Sequence, residues 1–385
     1  MYEKIVYKYK LNDTNKIHFD YKAIYNQLPK DKKPNIIILF GKRSNGKSFQ
    51  ACVNSIDDVL QDKGCILILK RYEKQLTPTF MESYISADID NYIYEKYGYH
   101  TYYSRRRVYM YKGDEPPEKT RDMILLAKFQ ALTQNDALKG SQELISNIIL
   151  EEAISTDGIY LQNEVNILLN LVNTFDRNRG LVKLWIVANT ISKINPYSDM
   201  VGVELDTMKK GSAFLFEYKK KTDRMNARNI VLFVRTDNIV QKNLDNVRIN
   251  YNLLDYDYSA MIDDGDFENY NIFDMSIKNK KALPLYVKTT GYTYLLYLCD
   301  VKKNKYITFK LLKPYEKMNK NYGVVGYDGV RTWNITSDRN DIDLIKYIVN
   351  LINNDCICGN AQQGTDIINA FIKSGAPCKQ RKRVV

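Results

Sequence analysis

The sequence predicts an α/β protein built on a parallel core sheet, with a second, smaller α/β domain behind it. Three observations carry this. Short continuous apolar runs recur through the first half: Asn35–Phe40 (NIIILF), Cys65–Leu69 (CILIL), Ile145–Leu150 (ISNIIL) and Leu184–Ala188 (LWIVA). Runs of this length and β-branched content read as strands buried on both faces. Helical stretches separate them, so strand, loop, helix and strand follow in the order that makes parallel pairs. Near Asp237 the composition turns rich in Asn, Asp and Tyr, and strands resume only at about Leu283.

In chain order, residues 1–33 are polar and Lys-rich with a short helix over Tyr21–Leu28, closed by Pro34. A helix over Lys47–Leu60 follows the first core strand. The segment from Tyr72 to Gly140 reads as an insertion, with a helix over Met81–Tyr97 and antiparallel strands at Tyr102–Tyr111 and Met123–Leu132. Val165, Leu168, Leu169, Val172 and Phe175 recur at helical spacing within Asn163–Asp176. Phe214–Tyr218 and Ile230–Val234 read as a pair of edge strands. This gives domains at 1–236, 237–280 (a linker subdomain) and 281–385. The last holds strands LPLYVKT, YTYLLYLCD, KYITFKLL and YGVVGYDG, a helix over Asp341–Asn353, a second helix near Thr365–Ile372 and a basic tail.

Composition narrows the function. The 57 Lys and Arg against 45 Asp and Glu give a net charge of +12, which favours a polyanionic partner such as nucleic acid. Two histidines, His18 and His100, without ligand spacing argue against a His-based metal site or a Ser-His-Asp hydrolase. The six cysteines are too sparse for a disulfide scaffold, and Cys356 and Cys358 read as ordinary thiols. The charged N-terminus is not a signal peptide, and no apolar run approaches a membrane span, so a cytosolic protein without a membrane partner is expected.

Gly41-Lys-Arg-Ser-Asn-Gly46-Lys47-Ser48 fits GxxxxGK[ST], the P-loop. Its glycines permit the tight turn in which backbone N–H groups of Ser44, Asn45 and Gly46 cradle phosphate oxygens at a helix N-terminus. Lys47 is expected on the β- and γ-phosphates of ATP and Ser48 on Mg²⁺. The strand Ile145–Leu150 ends in Glu151-Glu152, the pattern of a Walker B strand. Glu151 stands in the metal-shell position, one methylene longer than the usual Asp, and Glu152 is the candidate that orients the attacking water. The strand Cys65–Leu69 fits ATPases that place a core strand between the P-loop and Walker B strands and carry this extra Glu. Asn189 ends the strand after the helix and is placed to sense the γ-phosphate; Arg177 and Arg179 are candidates to reach a neighbouring subunit's nucleotide. Lys70 and Arg71 end the second core strand, at the ligand-facing end of a parallel sheet, and are candidates to contact phosphate of nucleotide or of DNA, or else plain surface charges; with Lys74 they are the candidate DNA contacts. Arg105 to Arg107 alternate along a strand and cannot all face one partner.

GKRSNGKS, KRYEKQL, the strand ending in Glu-Glu, NEVNILLNLVNTFDRNR and VANTISKINPY together resemble the DNA-encapsidation ATPases of small tailed phages, of the phi29 type. The resemblance covers about residues 35–235. It implies an ASCE-type P-loop ATPase domain, a linker subdomain and a C-terminal RNase H-like domain without nuclease activity. It also implies a homomeric ring, a pentamer, at the portal (connector) of a procapsid in the host cytoplasm, driving double-stranded DNA inward with ATP and Mg²⁺; a scaffold RNA is an optional further partner. By matching position, Lys47 and Ser48 are the P-loop ligands, Glu151 and Glu152 the metal-shell and catalytic acids, Arg177 the trans-acting finger, and Lys139 a lysine near the subunit interface. Glu151 departs from the family's usual Asp.

A P-loop helicase-like translocase is the near alternative. A P-loop kinase, and a nucleic-acid-binding module whose nucleotide only locks a conformation, are the distant ones. Against a kinase stand the second acid and a C-terminal domain it does not need. In that domain Asp300 ends a strand, Asp328 sits in a Gly-flanked turn, and Asp341 and Asp343 open a helix. Helix-opening acids also serve as caps. A two-metal nuclease needs three or four converging carboxylates, so binding through Lys302, Lys303 and the tail (Lys379, Arg381, Lys382, Arg383) is expected rather than cutting.

Overall fold

The computed structural model describes residues 2–11, 19–41, 45–62, 64–134, 143–154, 160–177, 179–189, 195–203, 205, 208–220, 228–236, 280–288, 293–301, 304–313, 316–319, 322–326, 339–354, 356–359 and, singly, 364, 367, 368, 370, 371 and 376. The chain divides into two compact units, Met1–Asp266 and Phe267–Val385. The linker segment 237–279 lies outside the described residues.

In the first unit, β1 (Tyr2–Lys10), α1 (Tyr21–Tyr25), β2 (Ile36–Gly41), α2 (Lys47–Asp62) and β3 (Cys65–Lys70) lead to α3 (Pro78–Ser83), α4 (Ala87–Tyr97), β4 (His100–Ser104), β5 (Arg107–Tyr111) and β6 (Ile124–Ala131). Then come β7 (Ile145–Leu150), α5 (Glu164–Asp176), β8 (Lys183–Asn189), α6 (Pro196–Val201), β9 (Ser212–Lys220) and β10 (Arg228–Arg235). All strands join one sheet in the order β1-β9-β10-β2-β8-β7-β3-β6-β5-β4. Its centre, from β10 to β6, is parallel throughout. Every residue of β2, β3 and β7 is buried, which is why these strands read as unbroken apolar runs rather than alternating ones.

Several expectations are corrected. The strand lying between the P-loop strand β2 and the Walker B strand β7 is β8; β3 (the Cys65–Leu69 run) flanks β7 on its far side. The polar N-terminus contains β1, whose lysines line an edge strand. Lys4 lies 4.7 Å from the Phe216 ring centroid and Lys8 5.3 Å from that of Phe214, so their stems cover an aromatic face while the charge deters further pairing. The pair at 214–234 is internal: β10 pairs parallel with β2, and β1 takes the edge outside β9. The helix expected over Met81–Tyr97 is two helices, because Ser86 caps a fresh start by accepting from the Ile89 N–H. Arg105 and Arg106 do not alternate along a strand; they form the two-residue turn between β4 and β5, both at positive φ (54° and 92°). The strand β6 is no mere insertion either, since it extends the parallel core beside β3.

The buried face of α5 comprises Glu164, Leu168, Leu171 and Phe175, so an acid opens a face that reads as purely apolar. The second unit has β11 (Lys280–Lys288), β12 (Thr293–Val301), β13 (Asn304–Leu311), β14 (Gly323–Gly326) and α7 (Arg339–Asn353). Its sheet runs β13-β12-β11-β14, with the first three antiparallel and β14 returning parallel to β11, the arrangement expected of an RNase H-like sheet. Ile345, Ile348, Val349 and Ile352 of α7 join its core. The helix expected near 365–372 lies only partly within the described residues.

Candidate nucleotide site

The loop after β2 and the first turn of α2 line a cavity of about 680 Å³ at the C-terminal ends of the parallel strands. Asn45, Gly46, Lys47, Ser48 and Phe49 form one wall; Glu151, Glu152, Val187, Ala188 and Asn189 come from β7 and β8. This is where a parallel α/β sheet offers a ligand its crevice. Gly46 takes φ of +86°, a left-handed conformation that the loop needs and a side chain resists. The end of β10 braces the loop. Asn45 Nδ2 donates to the Thr236 carbonyl at 2.9 Å and to its hydroxyl at 2.6 Å, and the Thr236 N–H donates to Phe40 O at 2.7 Å. Lys47 is buried, its Nζ donating to Gly41 O at 3.0 Å. Ser44 and Lys139 lie outside the described residues.

The two acids have different surroundings. Glu151 is buried, and each of its oxygens takes a hydroxyl: Ser48 Oγ at 3.0 Å and the Tyr84 phenol at 2.8 Å. Burial pushes its pKa up, while the two hydroxyls and the nearby charge of Lys70 oppose the shift. Glu152 is 58% exposed and adopts φ of +50°, a conformation that costs a non-glycine residue roughly 1–2 kcal/mol. Hydrogen bonds on either side impose it: Glu151 N–H to Leu69 O at 3.0 Å and Ala153 N–H to Val187 O at 2.9 Å. Its carboxylate pairs with Lys70 at 2.9 Å. The hard oxygens of Ser48 and Glu151, with no cluster of three acids, histidines or cysteines among the described residues, suit an ion such as Mg²⁺ that keeps several waters and takes phosphate oxygens for the rest.

Two expected DNA contacts are corrected. Lys70 is 5% exposed, committed to Glu152 and stacked 4.3 Å from the Phe80 ring centroid. Arg71 is buried in a forked ion pair with Glu164, Nε at 2.6 Å and one terminal nitrogen at 2.9 Å, and also donates to Ala153 O. Burial works against its charge, but Glu164 outweighs it and holds the pKa above the ordinary range. Glu164 further accepts from the Tyr197 hydroxyl and, at 2.9 Å, from Leu161 N–H. Lys74 is exposed, as a phosphate contact requires.

Arg177 is the left-handed C-cap of α5 (φ +47°), exposed, outside the cavity lining, and its guanidinium has no partner among the described residues. Arg179 is folded back, donating to Asp176 O at 3.0 Å and Phe175 O at 2.8 Å. Tyr84, Ser86 and Asp88 carried no motif signal, yet the first holds Glu151 and the other two line the cavity. In the second unit Asp300 pairs with Lys305 at 2.5 Å and Asp343 with Lys346 at 3.6 Å. Asp328, Lys302, Lys303 and the basic tail lie outside the described residues.

The family model of the Podovirus DNA encapsidation protein (Gp16) matches residues 19–324. The chain belongs to that family. Membership makes it a phage DNA-packaging protein, and the kinase alternative falls. The bacteriophage Phi-29 viral genome packaging motor assembly is similar in structure, with a TM-score of 0.51 at 17% identity, covering 93% of this chain and 100% of that one. The Phi-28 gp11 DNA packaging motor gives 0.47 at 14% identity, covering 91% and 97%. The N-terminal domain of the DNA packaging ATPase from bacteriophage phi29 gives 0.41 at 20% identity, covering 58% and 97%. No curated protein matches the chain in sequence. Among the described residues no helix is long and apolar enough to cross a membrane.

Proposed function

We propose that this encapsidation protein hydrolyses Mg²⁺-ATP at the contacts between neighbouring copies in a homomeric ring, a pentamer, and couples hydrolysis to the movement of double-stranded DNA into a procapsid. The hydrogen bond between Ser48 and Glu151 carries the reading, because it closes a P-loop against a Walker B acid with a solvent-reachable Glu152 next in chain. Lys47 compensates phosphate charge, Ser48 and Glu151 hold Mg²⁺, Asn189 contacts the γ-phosphate from the end of β8, and Glu152 accepts a proton from the attacking water. The metal would neutralise charge on the transferring phosphoryl group.

Arg177 supports a shared site. Exposed and outside its own cavity, it is free to act on a neighbour's nucleotide, where such fingers are worth roughly 10³–10⁵ in rate. Arg179 is the weaker choice, since its guanidinium already caps its own helix. The domains proposed are 1–236, 237–280 and 281–385, with the ring seated on the portal in the host cytoplasm and the last domain binding rather than cutting DNA. Arg177→Ala and Glu152→Gln chains, each inactive alone, test the shared site. Mixed, they should regain ATPase activity at interfaces that join an intact Glu152 to an intact Arg177. No recovery at any ratio removes the trans assignment.

A further inference from the structure

The carboxylate of Glu151 is held on its outer side by a phenol that no P-loop motif supplies. Tyr84 follows α3 directly, and its hydroxyl donates to Glu151 Oε1 at 2.8 Å while Ser48 occupies Oε2 at 3.0 Å. The Tyr84 ring is wedged edge-on between Phe80 (centroids 5.6 Å apart, planes at 68°) and Phe129 (5.7 Å, 83°), so the phenol has little freedom to swing away. A glutamate has one more side-chain torsion to freeze than an aspartate, and a bond to each oxygen fixes that torsion and the carboxylate plane together. The same stretch reaches further into the site. Phe80 stacks under Lys70, the partner of Glu152, and Ser86 and Asp88 line the cavity.

We propose that Tyr84 is a positioning residue for metal-dependent nucleotide binding: it clamps Glu151 so that Oε2 stays on the Ser48 side, and thereby ties the α3–α4 junction to the occupancy of the site. The inference rests on the reading that Ser48 and Glu151 hold Mg²⁺. The longer acid and the phenol form one device, in which the phenol takes up the reach that the extra methylene adds.

The full chain and its Tyr84→Phe variant are titrated with a fluorescent N-methylanthraniloyl-ATP, in EDTA and across a Mg²⁺ series, and Mn²⁺ bound with ATP is followed by electron paramagnetic resonance. Tyr84→Phe should bind the nucleotide unchanged in EDTA, require roughly tenfold more Mg²⁺ to reach the tight state, and broaden the Mn²⁺ spectrum. Glu151→Asp should raise the Mg²⁺ requirement too, and Tyr84→Phe should add little on that background, since the shorter acid has already let go of the phenol. An unchanged Mg²⁺ midpoint and Mn²⁺ spectrum in Tyr84→Phe overturns the inference, as does an equal loss of affinity with and without Mg²⁺, which marks a packing role only. Should Tyr84→Phe fail to fold, Glu151→Asp decides: an unaltered Mg²⁺ midpoint overturns it. A wild-type chain that binds equally well in EDTA and Mg²⁺ overturns the metal reading itself, and this inference with it.

Discussion

Glu151 and Glu152 share a peptide bond and almost nothing else. The first is buried between two hydroxyls at the cavity wall, where it can hold a cation; the second stands in solvent on a left-handed backbone that turns it away from its neighbour. The roles follow, and so do the variants. Lys47→Ala should lose nucleotide binding, because phosphate charge is left uncompensated, whereas Glu152→Gln should keep binding and lose turnover, because an amide cannot take the proton of water. Equilibrium binding and phosphate release, measured on both, separate the outcomes; normal hydrolysis by Glu152→Gln would sink the assignment. Spacing alone made Lys47, Ser48 and the two acids legible. It could not sort Lys70, Arg71 and Lys74, which look alike as a run of cations. Their difference lies in partners far along the chain, Glu152 and, 93 residues away, Glu164. Tyr84 was invisible for a related reason: a tyrosine after a short helix has no pattern until a carboxylate from another strand meets it.

Elements are joined here by polar hubs, one buried and one nearer the surface, as well as by apolar packing. Glu164 opens α5 and gathers Arg71 from the end of β3 and Tyr197 from α6, while Arg71 also holds Ala153, the residue after Glu152. The helix that ends in Arg177 is therefore anchored at its other end to the Walker B turn. Arg71→Met should cost about 3–5 kcal/mol in chemical denaturation, because Glu164 is left buried and unpaired, and adding Glu164→Leu should recover much of it. A loss near zero for Arg71→Met would show that water reaches the pair. A second hub is Asp57 on α2, which accepts from Lys22 of α1 and from Tyr92, Lys96 and Tyr97 of α4. Burial pushes its pKa up, but these four donors outweigh it and bring it from 3.8 to about 2. The folded value is depressed, so the stabilisation is present above the ordinary value and is lost as pH falls through the folded one. Asp57→Asn should lose about 1–2 kcal/mol at neutral pH after allowance for solvent screening, with the gap to wild type closing between about pH 4 and 2 in denaturant titrations. Strands buried on both faces were the most legible elements, since nothing polar interrupts them. The edge strand β1 was missed although Tyr7 to Lys10 alternate, because lysines that cover aromatic rings read as solvated charge. The Met81–Tyr97 helix was overextended because its apolar period runs across the Ser86 cap.

At the scale of the molecule, a packaging motor must grip every sequence of its genome, and that demand selects phosphates over bases. The chain carries 57 Lys and Arg against 45 Asp and Glu, a surplus of +12. Two cations beside the nucleotide site are already spent: Lys70 on Glu152 and Arg71 on Glu164. The surface that remains for DNA on the first unit includes Lys74 and Arg105, both exposed. Affinity for duplex DNA should therefore fall steeply with salt, with a log–log slope of about −0.9 for each phosphate neutralised. Lys74→Ala should reduce that slope by about one and weaken binding alike on unrelated sequences, because a phosphate contact carries no base information. Arg71→Lys should leave the slope unchanged, since the position is buried whichever cation occupies it. Fluorescence anisotropy with two duplexes of unrelated sequence, from low to physiological salt, reads all three outcomes. An affinity flat in salt, or a strong preference between the duplexes, would mean that base edges or shape are read, and the phosphate grip would have to be abandoned.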